Sequence, residues 1–393
     1  MFLPRKIYPE LKKHLKIKQI TVITGMRRAG KTTLLKQLLK DIPSKNKFYI
    51  DLERLDNREL FSQKNYDNIL KELANRGLST KEKIYLAIDE IQMFPPIAGV
   101  LKYLYDAFGI KFLVSGSSSY YLKNLFSESL AGRKKIFELY PLDFGEYLDF
   151  KGVFRLKNEG WKEKKVSPAE YERTRHHYEQ YIEFGGFPEV VLAKNAKEKK
   201  ELLADIASSY VNIDVKSLAD FRSEKNIYNL IKMLSGRIGA KLDYSKLSRL
   251  AGLSRPTVMN YIDFFEKTYL LEKLPIFSKS PDREIVKAKK IYFCDNGIAG
   301  FFADLDGGTK FENAVFNQLR GRGRLQYYSL KNGREIDFVL DGKIGLEAKE
   351  TPIKQDQKKL AVLRKKAGLK KGGLVGRYLT PNFTDYIWGG EIR

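Results

Sequence analysis

Short apolar runs alternate with amphipathic stretches from Gln19 to about Phe150, the pattern of parallel strands joined by crossover helices. Five runs read as strands: Ile20 to Thr24, Lys47 to Leu52, Ile84 to Ile88, Lys111 to Ser115 and Lys135 to Leu139. From about Lys151 to Ser223 the chain is polar and helical, and its opening segment, Lys151 to Lys165, is the least patterned part and reads as a linker. Asn226 to about Phe277 predicts three short helices and a hairpin, and from Asp282 onward strands return, mixed with helices. The expected division is therefore 1–150, 151–225, 226–281 and 282–393. The fold class is α/β, with a parallel five-stranded core sheet in the first region and a second α/β region at the C-terminal end.

Composition narrows the partners. The 393 residues hold 72 Lys and Arg against 48 Asp and Glu, a formal charge of +24, with three His and one Cys. These numbers exclude a small disulfide scaffold and a disordered acidic tail. Charge-free stretches such as Phe112 to Leu122 fall far short of the roughly 20 residues a membrane-crossing helix needs, so no membrane partner is expected. Met1-Phe2-Leu3-Pro4-Arg5-Lys6 lacks the apolar core of a secretory signal, which leads us to expect a cytoplasmic protein with Cys294 a reduced core thiol. The positive surplus fits a polyanion, with a charge-rich solvated surface as the alternative. Nine Lys or Arg but one acid, Asp356, lie between Lys354 and Arg377, and that concentration favours nucleic acid.

The clearest chemical motif is Gly25-Met26-Arg27-Arg28-Ala29-Gly30-Lys31-Thr32, set between the first strand and a helical stretch opening at Thr33. Glycines there let backbone N–H groups and a helix N-terminus turn toward a triphosphate, so residues 25 to 33 form the expected ATP-binding loop. Lys31 would reach the β and γ oxygens, and Thr32 would ligate Mg²⁺. Asp89 and Glu90 end the strand Ile84 to Ile88, where Asp89 would orient the metal and Glu90 would polarise the attacking water. A further strand runs into Ser115-Gly116-Ser117-Ser118-Ser119, and Ser115 would sense the γ-phosphate or simply terminate the strand. Arg133 reads either as an arginine finger, for its own or a neighbouring site, or as a solvated side chain; acting on a neighbour requires a homo-oligomer.

These residues, with Leu130-Ala131-Gly132-Arg133, Tyr140-Pro141-Leu142 and Gly185-Gly186-Phe187-Pro188-Glu189, resemble an archaeal and bacterial family of AAA-type P-loop ATPases carrying a C-terminal restriction-endonuclease-like domain. The resemblance covers nearly the whole chain. It implies an ATPase core with an extra strand between the two phosphate-site motifs, a helical lid, a winged helix and the terminal domain.

Leu242 to Ile262 has the order of a helix-turn-helix: an amphipathic helix, a turn at Gly252 and a second helix capped by Ser254. Val258, Ile262 and Phe265 would pack inward, leaving Arg255, Thr257 and Asn260 to face DNA. Asp263 and Glu266 oppose that reading, and a protein-docking winged helix is the alternative.

Near the C-terminal end, Glu335 to Leu340 and Ile344 to Lys349 form two strands around an Asp341-Gly342 turn. Pairing Leu340 with Ile344 gathers Ile336, Phe338, Leu340, Ile344, Leu346 and Ala348 on one face and sets Asp337 opposite Glu347. Asp337 with Glu347-x-Lys349 resembles the PD-(D/E)xK nuclease site, although Ile336 rather than Pro precedes Asp337. That resemblance implies a divalent metal, Mg²⁺ or Mn²⁺, at Asp337 and Glu347, with Lys349 positioning its water and Glu312 as the helix-borne acid. The sequence thus predicts an ATP-hydrolysing DNA-binding protein with metal-dependent cleavage. Its alternative is an ATP-driven switch or scaffold whose terminal domain is inert.

Overall fold

The computed structural model describes residues 2–117, 130–154, 168–215 and 224–392. Ser118, Ser119 and residues 155–165 of the expected linker lie outside the described residues. The chain forms two compact units, Met1–Tyr140 with Lys267–Tyr269, and Pro141–Glu266 with Leu270–Arg393. The helix Phe144–Phe150 belongs to the second unit, where Leu142 N–H bonds Gly186 O at 2.7 Å.

Five parallel strands form the sheet of the first unit: β1 (Ile20–Thr24), β2 (Lys47–Asp51), β3 (Tyr85–Asp89), β4 (Lys111–Gly116) and β5 (Lys134–Glu138). Their order is β2-β3-β4-β1-β5, so the strand after β3 inserts between the two phosphate-site strands. Alternation along each strand divides the core between two faces. Ile20, Val22, Leu86, Ile88, Phe112 and Val114 pack beneath the helices Asp67–Asn75 and Ile97–Phe108. Ile23, Ala87, Leu113 and Phe137 pack against Leu34, Leu35 and Leu38 of the helix Lys31–Asp41. Cover on both faces is what keeps the central strands β1, β3 and β4 buried along their length.

The second unit begins with helices. Phe144–Phe150 opens with a reciprocal cap between Asp143 and Glu146, and its Phe144 ring packs on Tyr178 and Tyr181 of the helix Pro168–Phe184. The Gly185-Gly186 pair is required by packing: a Cβ on Gly185, which adopts a φ of 73°, would lie 2.2 Å from an Asp295 oxygen, and one on Gly186 would lie 2.1 Å from Leu142 O. Asp295 caps the helix Asn296–Phe302 and accepts from Gly186 N–H at 2.7 Å.

Helices Tyr244–Ala251 and Arg255–Lys267 flank a left-handed Gly252, and the second is capped through Ser254 Oγ and Thr257 N–H at 3.2 Å. Val258, Ile262 and Phe265 are fully buried. An antiparallel pair follows, β6 (Leu271–Leu274) with β7 (Lys290–Phe293). The remaining sheet holds β8 (Leu325–Ser329), β9 (Glu335–Leu340), β10 (Ile344–Lys349), β11 (Lys371–Gly376) and β12 (Ile387–Trp388) in the order β12-β11-β10-β9-β8. Leu340 pairs with Ile344, the register chosen from the apolar pattern, around a loop with left-handed Asp341 and Gly342. Cys294 is a buried free thiol, and among the described residues no helix is long and apolar enough to cross a membrane.

His14 supplies a pH test of the first unit. Its ring is buried, with Nδ1 2.8 Å from the Thr21 hydroxyl and an edge contact to Phe137. Burial, and then the Lys111 charge, lowers its pKa from 6.5 to about 4, with Lys135 acting the same way and Gln19 and Glu10 opposing. The unfolded chain therefore takes up the proton first, and this contribution to stability is full above about pH 6.5 and declines as the pH falls toward 4. Thermal unfolding of His14→Gln should decline less steeply than wild type across that window; parallel profiles would exclude the assignment.

Candidate active site and acidic cluster

The phosphate loop is shaped by close backbone approach. A Cβ on Gly25 would sit 2.0 Å from Leu139 O, and Gly30 caps the following helix at a φ of 98°. Arg5 braces the loop from outside, donating to Ala29 O at 3.0 Å and to Tyr140 O at 2.7 Å. Lys31 is buried, and its Nζ donates to Gly25 O at 2.9 Å and Met26 O at 3.0 Å. The ammonium is thus held inside the loop by carbonyls that phosphate oxygens would replace. Arg27 turns outward toward Glu53 at 3.4 Å, while Arg28 occupies the left-handed region at a φ of 63°.

Across from the loop, Asp89 ends β3 with its carboxylate buried. It accepts from the Tyr49 hydroxyl at 2.8 Å, the Ser115 hydroxyl and the Glu90 N–H at 3.2 Å, and it is hydrogen-bonded to Thr32. Burial raises its pKa despite the opposing Thr32 and Tyr49 bonds. Thr32 and Asp89 therefore stand together as the oxygen pair expected to hold Mg²⁺, and the donor chemistry fits that hard cation. Glu90 has a φ of 51°, a left-handed conformation unusual for a side-chain-bearing residue. Its carboxylate accepts from Gln92 Nε2, which also donates to Ser117 Oγ at 3.0 Å.

Arg133 is not brought to this site within the chain. Its carbonyl accepts from Ile20 N–H, at the end of β1 opposite the phosphate loop, and its guanidinium pairs with Asp106 at 2.8 and 3.0 Å. The expectation of an arginine finger for its own site is corrected by that position, since β1 separates them by about 15 Å.

In the second unit, β9 and β10 bring Asp337, Glu347 and Lys349 together, with Glu312 from the helix Gly307–Leu319. Asp337 accepts from Ala348 N–H at 3.0 Å, and Lys349 Nζ lies 3.0 Å from Glu347. Tyr292 donates to Glu312 at 2.6 Å. Burial, and then the Asp337 charge, pushes Glu312 and Glu347 up to about 7; burial also raises Asp337. Sequence reasoning missed Lys290. Its Nζ lies 2.7 Å from Glu335, 3.7 Å from Asp337 and 3.9 Å from Glu312. A lysine preceding an apolar strand reads as an edge, yet its period-two partner Tyr292 already faces Glu312. The residues do not fit the metal that the nuclease resemblance implies: an ammonium stands among the acids, and among the described residues no group of three or more His, Cys, Asp or Glu is arranged to hold a metal ion.

Residues 17–148 match a family described as an AAA domain, and residues 175–309 match a domain of unknown function. With the strand order and the loop, this defines an AAA-type P-loop ATPase core, a fold that implies nucleotide binding, usually with Mg²⁺. An uncharacterized protein of Methanocaldococcus jannaschii is 31% identical over 337 residues, covering 82% of this chain and 72% of that protein. The chain belongs to the family of that archaeal protein. An uncharacterized Haemophilus influenzae protein is 26% identical over 333 residues, covering 81% of this chain and 79% of its own. Among solved structures, Cdc6p from Pyrobaculum aerophilum is similar with a TM-score of 0.30 at 14% identity, covering 74% of this chain and 91% of that one.

Tyr49→Phe removes one donor from Asp89 and keeps the ring. Titration of a fluorescent ATP analogue should show several-fold weaker binding with Mg²⁺ and unchanged binding in EDTA. Equal losses in both conditions would mean that the loop itself was disturbed.

Proposed function

We propose that the chain hydrolyses ATP at the phosphate loop and binds DNA with an affinity set by nucleotide state. The supporting observation is the convergence of Lys31, Thr32, Asp89 and Glu90 at the C-terminal ends of β1 and β3. Loop N–H groups from Gly25 to Thr33 and the Lys31 ammonium would hold the phosphates, with Thr32 and Asp89 holding Mg²⁺ and Ser115 sensing the γ-phosphate. Bound Mg²⁺ supplies charge neutralisation at the phosphate oxygens. Lys31 exchanges its carbonyl partners for phosphate oxygens, and Glu90, once released by Gln92, polarises water. We retain the division into ATPase core, helical lid, winged helix and nuclease-like domain at 1–150, 151–225, 226–281 and 282–393 as part of this proposal.

DNA binding draws support from exposed Arg255 and Asn260 on the second helix of the helix-turn-helix. Asp263 and Glu266, the acids that oppose it, both pair with Lys273 of β6, which offsets their charge. Lysines 354, 358, 359, 365, 366, 370 and 371 are exposed on and after the helix Lys354–Ala367, an electrostatic surface for phosphates. For the terminal domain, the Lys290 contacts favour the non-cleaving reading over metal-dependent cleavage at Asp337, Glu347 and Lys349.

Mg²⁺-dependent ATP turnover should disappear in Lys31→Ala and Glu90→Gln; turnover surviving both would refute the ATPase assignment. Arg255→Ala with Asn260→Ala should weaken duplex DNA binding by about tenfold in fluorescence anisotropy, as expected for losing base and phosphate contacts worth about 1–3 kcal/mol. Plasmid DNA should stay intact with Mg²⁺ or Mn²⁺, and nicking abolished by Asp337→Ala would overturn the non-cleaving reading.

A further inference from the structure

Lys290 opens β7, the strand that returns from the helix-turn-helix hairpin, and is almost wholly buried. Its backbone bridges Lys241, the residue just before the helix-turn-helix segment, so two lysines of this region lie side by side. Both side chains reach the acidic edge of the terminal sheet. Lys290 contacts Glu335, Asp337 and Glu312; Lys241 Nζ lies 3.3 Å from the other Glu335 oxygen and donates to Ser329 Oγ at 2.8 Å. Lys290 also lies 5.6 Å from the centre of the Tyr327 ring. Burial lowers the lysine's proton affinity, but the surrounding carboxylates outweigh it and keep the ammonium charged.

The cluster has four carboxylates, at Glu312, Glu335, Asp337 and Glu347, and three ammonium groups, at Lys241, Lys290 and Lys349. Fully ionised, it carries a net charge of −1, so most of the negative charge that a divalent ion would meet is already offset by ammonium groups. Its central cation position is also filled. The geometry points to Lys290 as an internal plug: β7, paired with β6 of the helix-turn-helix region, places an ammonium in the terminal acidic cluster and excludes divalent metal from it. This inference rests on the non-cleaving reading of the terminal domain and gives it a cause.

Mn²⁺ titrations followed by electron paramagnetic resonance test the plug, using the full chain without nucleotide. Wild type and Asp337→Asn should take up Mn²⁺ identically up to about 1 mM, the weak end of carboxylate sites for hard cations. Lys290→Met should gain one site that Asp337→Asn abolishes, at least tenfold tighter than any wild-type binding at the cluster. Should that variant misfold because its acids lose their partner, Lys290→Met with Glu335→Gln restores the balance, and the wild-type comparison decides alone. A wild-type site below that concentration that depends on Asp337 would overturn the plug, as would a folded Lys290→Met without the gain. Plasmid nicking is scored separately. Nicking without an Asp337-dependent Mn²⁺ site refutes the non-cleaving reading alone, and such a site without nicking refutes the plug alone.

Discussion

A buried carboxylate stays charged only when donors replace the water it has lost, and the first unit is organised around that demand at Asp89. Its partners come from four separate places: Thr32 on the phosphate-loop helix, Tyr49 on β2, Ser115 on β4 and the Glu90 amide that follows β3. The run β2-β3-β4-β1 supplies all four. With β4 elsewhere, Ser115 would leave the carboxylate. The inserted strand therefore acts as a spacer that holds phosphate loop and acid at a fixed separation and contributes a donor of its own.

Glu90 is placed by the same geometry. Directly after a parallel strand the chain must turn away from the sheet, and it does so through a left-handed residue followed by the short helical turn Ile91–Met93. That turn returns Gln92 to the Glu90 carboxylate and to Ser117. Backbone strain at Glu90 is thus maintained by an amide that links the acid to the end of β4.

The central strands of the first unit were legible because both sheet faces are covered, which makes β1, β3 and β4 compact, buried runs. The β9–β10 register was legible for a related reason: slipping it by one residue would turn Asp337 away from Glu347 and divide the apolar set. Arg133 was not legible, because its role depends on which end of β1 it joins, and Leu130-Ala131-Gly132-Arg133 has no periodicity that reports this. Lys290 was hidden by its neighbourhood. It follows Lys289 and precedes Ile291-Tyr292-Phe293, so it reads as a solvated strand edge. Its burial arises from β7 pairing with β6 on one side and bridging Lys241 on the other, contacts set by residues far away in the chain.

The two acidic sites solve the burial problem by opposite means. Around Asp89 the partners are hydroxyls and an amide, which stabilise the negative charge without cancelling it, so it remains available to a cation. Around Asp337 the partners include ammonium groups, and most of the charge is already offset from within. Both arrangements keep carboxylates in the interior, the first with neutral donors and the second with cationic ones. The presence of acids at a strand end is therefore a poor guide to metal chemistry on its own. What separates the sites is whether the donors are neutral or cationic, and in this chain that difference is carried by Tyr49 and Ser115 at one site and by Lys290 and Lys349 at the other.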